Sequence, residues 1–316
     1  MSPSPPQNPT VAVSPMSMLG VTADTGRREH YGEFYGLREA PEGAGVIVGN
    51  CQAESLRIVV DGPATPTVRV PPVHELTAHD VPHLQRLIAR ASFLAVQPIR
   101  DDYHDLPLGT RQLVGLLRPT ARAVTVPIVR YTGLYPFQWV IRVPEVTTMP
   151  PFVDYLDVRE LALAAGLPLP AQLDPAGVRA VAEDSLAELR RREGDLDVAA
   201  SDLFAQPTFD HMRTVNHPGN PIWLGLGARV LEALGSSAAP TDPGRPILNG
   251  VQAPREAWVA DAWDLDEEPR DDWSIDGARV PSAEVRAAQG AWYRDNPVYI
   301  ERAIARLAPL LARWRA

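Results

Sequence analysis

The only cysteine of the chain, Cys51, follows a Gly-Asn pair between an apolar run and a helical pattern. Val46–Val48 is typical of a short buried strand, and residues 52–60 repeat apolar side chains at helical spacing. A residue at such a turn lies at the carboxyl edge of a parallel sheet, where ligands of open α/β folds bind. The free N–H groups of the following helix lower a thiol pKa and can bind an oxyanion. We expect Cys51 to be a nucleophile or to line an oxyanion site; the alternative is a small buried hydrophobic residue.

Four amide side chains are candidate contacts for a substrate or an oxyanion. Asn50 and Gln52 flank Cys51, and Gln97 directly follows a second apolar run. These three are therefore expected at the same sheet edge as the thiol. Asn220, in a later Gly-Asn-Pro turn, is predicted to play the same kind of role.

Residues 209–221 form a polar, turn-rich segment that contains two histidines. Histidine is the usual general base near neutral pH, so His217 is the first candidate base and His211 the second. Asp210 is a candidate to orient either imidazole. The alternative is a structured turn in which His217 caps the next helix.

Residues after the second and third apolar runs are candidates for holding an anionic cofactor. Arg111 and Gln112 begin a short predicted helix, where a guanidinium and free amides can bind phosphate; the alternative for Arg111 is a surface arginine. Tyr131, beside a glycine, suits a ring-stacking pocket wall or plain packing. The carboxylates and His104 within residues 101–105 match no metal-binding spacing, so we expect no metal.

The composition excludes several classes of enzyme. All 30 Lys+Arg residues are arginine, which excludes a Schiff-base lysine, a Walker-type phosphate loop and the strand lysine of protein kinases. A single cysteine excludes an internal disulfide and a cysteine-based zinc site, which fits a reducing compartment. The net charge of −9 argues against non-specific nucleic-acid binding.

Apolar runs at 46–48, 93–96 and 124–129 alternate with predicted helices at 52–60, 80–91 and 111–117. Later helices are predicted from Asp174-Pro175 to Gly194, at 222–234, and at 298–314. This alternation predicts an α/β fold, a three-layer parallel sheet flanked by helices, with a helical C-terminal extension.

The chain divides into three predicted regions. Residues 1–20 are rich in Pro and Ser and are expected to be a disordered tail. Residues 21–235 are expected to form the catalytic domain. Residues 236–316 are expected to form an acidic loop, with a solvated run at 264–272, and a helical extension packed on the same domain. Neither a signal peptide nor a membrane span is predicted, so we expect a cytoplasmic protein.

Five segments together resemble one known family: GNCQ at 49–52, QPIRDDY at 97–103, LGTRQL at 108–113, YTGLYP at 131–136 and NHPGNP at 216–221. They are similar to the WcbI family of bacterial capsular polysaccharide biosynthesis. The resemblance implies a coenzyme A-binding protein that transfers acetyl to a sugar hydroxyl. The chain is also similar to SGNH-type esterases and O-acetyltransferases, which implies an SGNH/flavodoxin-like fold with cysteine in place of serine. It departs from them because no aspartate lies two residues before a candidate catalytic histidine.

Three hypotheses follow. The first is acyl transfer, in particular of acetyl, from acyl-coenzyme A to a carbohydrate hydroxyl through a Cys/His site. In this hypothesis acetyl-CoA is the co-substrate and a carbohydrate is the acceptor. We expect no nucleic-acid partner, and a homo-oligomer is possible. The second is an esterase or thioesterase that uses Cys51, in which water reaches the acyl group. The third is a non-catalytic ligand-binding protein with a structural Cys51.

Overall fold

A computed structural model describes residues 25–315 of the 316-residue chain. The tail predicted for residues 1–20 lies outside these described residues. Four parallel strands form the central sheet: β1 (Gly45–Val48), β2 (Thr67–Val68), β3 (Phe93–Val96) and β4 (Arg122–Thr125). Their order in the sheet is β2-β1-β3-β4, so the chain starts in the middle and reaches each edge by a crossover.

Helices supply the crossovers that parallel strands require. After a short helix α1 (Gly32–Tyr35), they are α2 (Cys51–Val60), α3 (Val81–Arg90) and α4 (Thr110–Val114). Each lies between two successive strands of the sheet. The predicted strand–turn–helix unit around Cys51 is thereby confirmed.

Alternate side chains of the sheet face two different hydrophobic clusters. In β1, Val46 and Val48 pack with Leu84 of α3, whereas Ile47 packs with Leu56 of α2. Because successive residues of a strand point to opposite faces, both faces are covered by helices. The predicted three-layer α/β architecture is confirmed.

The second half of the chain is helical, with three small antiparallel sheets. Its helices are α5 (Val158–Ala164), α6 (Pro175–Glu193), α7 (Asn220–Ala233), α8 (Ala257–Trp263), α9 (Ser282–Asp295) and α10 (Pro297–Arg315). Its strands are β5 (Gln138–Trp139), β6 (Leu156–Asp157), β7 (Met212–Thr214), β8 (His217–Pro218), β9 (Val251–Gln252), β10 (Asp272–Ile275) and β11 (Ala278–Pro281). Helix α7 packs on α2. Trp273 and Val285 share the buried cluster of Ile47, so the chain after residue 235 adds to the same core.

Some predicted boundaries are confirmed for clear physical reasons. Asp174 caps α6, since its Oδ1 accepts a hydrogen bond from the Gly177 N–H at 2.7 Å, and Pro175 occupies the first helical position. The helix ends at Glu193, directly before Gly194, as predicted. The C-terminal helix is present as α10 and brings the predicted apolar residues Leu307 and Leu311 into a buried cluster.

Other predicted boundaries are wrong. The third predicted strand corresponds to β4, which ends at Thr125 and not at Val129, since Pro127 has no N–H to donate to a sheet. The short helix is Thr110–Val114 and not 111–117. Helix α8 and the β10–β11 hairpin were not predicted.

The acidic run is also more ordered than predicted. Glu267 accepts a hydrogen bond from the Phe209 N–H at 3.0 Å and pairs with Arg255 at 3.3 Å. The short strand β2 and helices α5 and α9 were not predicted. Within residues 25–315, no helix combines the length and the apolar character needed to cross a membrane.

Candidate active site

Cys51 is the first residue of α2, directly after the turn that ends β1. Asn50 caps the helix, because its Oδ1 accepts a hydrogen bond from the Gln52 N–H at 2.9 Å. The Asn50 Nδ2 makes no hydrogen bond within the described part of the chain. The thiol is half-buried, and this burial raises its pKa, whereas the backbone of Cys51 and Gln52 acts in the opposite direction. The sequence predicts a lowered thiol pKa; in the structure, desolvation outweighs the helix terminus.

The side chain of Gln52 joins three loops at this edge of the sheet. Its Nε2 donates to the carbonyls of Val129 and Asn216, both at 2.8 Å. Its Oε1 accepts from the Val129 N–H at 3.0 Å. Gln52 is 1% exposed, and both of its N–H donors are used. It therefore has no N–H left for an oxyanion, which corrects its predicted role to that of a positioning residue.

Gln97 holds the turn that precedes Cys51. Its Oε1 accepts from the Asn50 N–H at 2.9 Å, and its side chain is 3% exposed. A Cβ at Gly49 would lie 2.2 Å from that oxygen, so any larger residue there would displace the Gln97 side chain from its bond to Asn50. Gln97 thus fixes the turn that carries the thiol. Its Oε1 is engaged by the Asn50 N–H and does not form the predicted substrate contact.

Tyr155 brings the late loop and the thiol to one site. Its hydroxyl lies 2.7 Å from Asn216 Oδ1, 2.9 Å from Thr214 Oγ1 and 3.3 Å from His217 Nε2. Burial raises the pKa of Tyr155, and the negative charge of a Cys51 thiolate would raise it further. The hydroxyl therefore remains protonated and lies in the electrostatic range of both His217 and Cys51.

The imidazole of His217 is neutral at physiological pH. Burial lowers its pKa to about 4, and the backbone of Val251 offsets this only in part. Its Nδ1 is buried and forms no hydrogen bond of normal geometry with the described residues. Since the imidazole is neutral and the raised pKa keeps the thiol protonated, the resting site holds no preformed thiolate–imidazolium pair.

The other predicted residues of the late loop have structural contacts. His211 Nδ1 accepts from the Thr208 N–H at 3.1 Å, which fixes its own turn. The Asp210 side chain is 73% exposed and lies 4.0 Å from Arg255. Asn220 bonds to backbone groups of residues 245 and 247. In the described part of the chain, no hydrogen bond or ion pair links Asp210 to either imidazole, so the site lacks the aspartate of a triad.

Comparison with known proteins agrees with this architecture. The family model described as "Polysaccharide biosynthesis enzyme WcbI" matches residues 44–239, which is well over half of the chain. This chain belongs to the WcbI family. The matched segment includes Cys51, Gln52, Tyr155 and His217, and thus the whole of the site described above.

A solved structure of a WcbI protein has the same fold. It superposes with a TM-score of 0.72 at 16% identity and covers 86% of this chain and 99% of its own. That structure is described as a native WcbI, a novel polysaccharide biosynthesis enzyme, without a disulfide bond between CoA and a cysteine. No curated protein sequence matches this chain.

The predicted cofactor residues of this WcbI-family chain are each engaged by other residues of the protein. The Arg111 side chain is 87% exposed and pairs with Asp101, whereas Gln112 bonds to Asp102 at 2.7 Å. Tyr131 is fully buried and stacks on Phe204 with ring centroids 4.4 Å apart. Tyr131 therefore has no ring face open to a ligand, which corrects the predicted pocket wall to a core position.

Sequence reasoning missed Tyr155 and Asn216 as members of the site. Asn216 stands next to His217 in a quoted motif, so the spacing could have pointed to it. Tyr155 has no such signal, because it lies 62 positions from His217 in a proline-rich stretch. A cleft of about 480 Å³ is lined by Trp273, whose ring stacks on Tyr155, and another of about 360 Å³ is lined by Val215, the residue before Asn216. Across residues 25–315, no group of three or more His, Cys, Asp or Glu side chains is arranged to hold a metal ion.

Proposed function

We propose that this protein transfers an acyl group, acetyl in particular, from acyl-coenzyme A to a hydroxyl of a carbohydrate or polysaccharide precursor. The observation that carries the proposal is the hydrogen bond from Gln52 to the Asn216 carbonyl at 2.8 Å. It ties the residue after Cys51 to the residue before His217. A thiol nucleophile and a histidine base on adjacent loops are the parts that acyl transfer requires.

The neutral His217 is the group that receives a proton during the reaction. In the covalent form of the mechanism, the Cys51 thiol gives its proton to His217 as Sγ attacks the thioester carbonyl, and His217 passes that proton to the coenzyme A thiolate as the C–S bond of the thioester breaks. The acceptor hydroxyl then gives its proton to His217 as it attacks the acyl-cysteine, and His217 returns the proton to the released Cys51 thiolate. In the direct form, the acceptor hydroxyl gives its proton to His217 as it attacks acyl-coenzyme A itself, His217 passes the proton to the leaving coenzyme A thiolate, and Cys51 only lines the site.

The oxyanion of the tetrahedral intermediate needs N–H donors near Cys51. The Gln52 N–H is used by the Asn50 cap and the Asn50 N–H by Gln97. The donors that remain are the Cys51 N–H at the start of α2 and the Asn50 Nδ2. One such donor is typically worth ~3 kcal/mol of transition-state stabilisation.

Coenzyme A enters the proposal through the family and its solved relative. The name of that relative refers to a disulfide between CoA and a cysteine. Cys51 is the only cysteine of this chain, so it is the residue that a coenzyme thiol would meet. A carbohydrate acceptor follows from the family's description as a polysaccharide biosynthesis enzyme. A free thiol and a thioester donor suit a reducing compartment, and we therefore place the reaction in the cytoplasm.

The test is release of free coenzyme A from acetyl-CoA, with and without a panel of sugars and sugar nucleotides, followed by mass analysis of the products. We expect acceptor-dependent release, lowered about 100-fold or more in Cys51→Ala. Tyr155→Phe should lower kcat while leaving KM for acetyl-CoA unchanged, because Tyr155 positions His217 and does not bind the coenzyme. Tyr299→Phe is the matched control, because it also removes a buried tyrosine hydroxyl. The Tyr299 hydroxyl lies outside the site and donates to the Ile141 carbonyl at 2.8 Å.

Each other outcome identifies a different function. Release without any acceptor would support the esterase or thioesterase alternative. Full activity of Cys51→Ser would argue against an acyl-cysteine and favour direct transfer. Wild-type behaviour of both Cys51→Ala and His217→Ala would overturn the proposal and favour a non-catalytic ligand-binding protein.

A further inference from the structure

A cleft of about 360 Å³ lies between α6, α10 and the segment that follows β4. Four arginines line it: Arg130, Arg192, Arg306 and Arg313. Among the residues that the structure describes, two carboxylates share the cleft, Asp184 and Glu188. In a chain with a net charge of −9, this is a local concentration of positive charge with room for a ligand.

Two of these arginines have no partner among residues 25–315. Arg313 pairs with Asp184 at 2.5 Å and Arg192 with Glu188 at 3.2 Å. Arg130 and Arg306 form no hydrogen bond, ion pair or ring contact. The surrounding protein and the like charge of Arg192 and Arg306 lower the pKa of Arg130, although a guanidinium stays protonated. Positive charges that repel one another across a cleft suit an anionic ligand.

The remaining wall of the cleft is apolar and contains an aromatic ring. Trp139, Val140 and Leu310 line it. The Trp139 indole is held by a hydrogen bond from its Nε1 to the Pro136 carbonyl at 3.2 Å, and no described aromatic ring stacks on it. Gln138 also lines the cleft, is 7% exposed, and has a buried Oε1 without a hydrogen-bond partner. A fixed indole and an unsatisfied amide beside cationic groups suit a heteroaromatic base attached to phosphates.

We propose that this cleft binds the nucleoside diphosphate portion of a reactant, with Arg130 and Arg306 on the phosphates and Trp139 beside the base. The inference rests on the proposed function, since both an acyl-coenzyme A donor and a nucleotide-linked sugar acceptor carry such a portion. The phosphate contact is thereby assigned not to Arg111, which pairs with Asp101 on the exposed loop after β3, but to Arg130 and Arg306, which have no partner among residues 25–315.

The position of the cleft relative to the thiol supports this assignment. Arg130 directly follows Val129, whose N–H and carbonyl are both held by Gln52. Val215, which lines the cleft, directly precedes Asn216, the other residue held by Gln52. The Gln52 side chain therefore holds both backbone segments that border the cleft, and Gln52 itself directly follows Cys51, so the cleft and the thiol are fixed to the same framework.

The test is titration calorimetry of the full chain with ADP, UDP and coenzyme A at low salt. Because a hydrogen bond to a charged group is strong, Arg130→Gln and Arg306→Gln should each raise Kd about tenfold for the nucleotide that binds. Arg302→Gln is the matched control, because Arg302 lies on the same helix but pairs with Glu145 outside the cleft. Arg306 forms no hydrogen bond or ion pair with residues 25–315, so we expect Arg306→Gln to fold. This variant keeps the test valid if Arg130→Gln fails to fold.

The binding results show which reactant supplies the ligand, and they also show whether the proposal fails. Binding of ADP and coenzyme A, weakened by both variants, supports the proposal and identifies the acyl donor as the source. Binding of UDP alone, weakened in the same way, supports it with a nucleotide-linked acceptor as the source. An unchanged Kd in Arg306→Gln, or no binding of any probe at millimolar concentration, would overturn it. Nucleotide binding without acyl transfer would keep this inference and remove the proposed function.

Discussion

The side chain of Gln52 donates a hydrogen bond to the backbone carbonyl of Asn216, 164 positions later, at 2.8 Å. One residue before Gln52 is the thiol, and one residue after Asn216 is the imidazole. The proposed catalytic pair, Cys51 and His217, is therefore positioned by a buried amide that is 1% exposed. The precision of the site depends on this contact and on the capped helix start at Asn50.

Replacement of Gln52 by alanine should destabilise the fold strongly. The Gln52→Ala variant leaves the Val129 N–H and the carbonyls of Val129 and Asn216 without this partner in a buried position. We expect the free energy of unfolding to fall by about 2–4 kcal/mol, measured by urea denaturation. The matched control is Gln85→Ala, which removes a half-buried amide that forms no hydrogen bond in the described chain. A loss equal to that of the control would show that the Gln52 contacts contribute nothing.

Stability should fall in mild acid because of His217. Its pKa is about 4 in the folded chain against an ordinary value of 6.5. Between these values the unfolded chain binds more protons than the folded one, so the free energy of unfolding decreases as the pH falls through this window. The full shift is worth up to about 3 kcal/mol, with no further loss from this group below pH 4. Between pH 7 and pH 5, urea denaturation should show a smaller decrease in the free energy of unfolding for His217→Gln than for wild type. Equal decreases in the two proteins would mean that His217 is not desolvated.

Cys51 should react slowly with iodoacetamide in the absence of substrate. Burial raises its thiol pKa, and the neutral His217 does not stabilise a thiolate. The alkylation rate, measured by intact mass over time, should therefore rise with pH. The pH midpoint of this rise should be higher in the folded protein than for the same cysteine in the urea-unfolded chain. A reactive plateau in acid would reveal a thiolate–imidazolium pair and contradict this description of the resting site.

The sequence predicts the parts of the fold that depend on local pattern. The strand before Gly49, the helix that follows it and the capped start of α6 all follow from spacing and turn chemistry. The roles of individual side chains depend on long-range contacts, which spacing does not encode. Gln52 looks like an oxyanion donor until its N–H groups are seen to be used by distant carbonyls, and Tyr131 looks exposed until Phe204 covers it.

The same limit explains the residues that sequence reasoning missed or misplaced. Arg111 and Arg130 are both arginines after a strand, and only the structure shows that Arg111 has a carboxylate partner whereas Arg130 has none among the described residues. Tyr155 enters the site through a proline-rich connection without regular structure, where no periodicity marks a functional residue. In each case the missing information is which partner, many positions away, satisfies the polar atoms.

We propose that Cys51 and His217, and not His211, form the acyl-transfer site. The most direct test compares acceptor-dependent turnover of acetyl-CoA by His217→Gln and His211→Gln, with folding verified by thermal melting. General base catalysis is worth about 10²–10⁴-fold, so His217→Gln should lose at least 100-fold in kcat. His211→Gln should lose far less, because its imidazole is bound to the Thr208 backbone. A large loss in His211→Gln with near-normal turnover in His217→Gln would contradict the account.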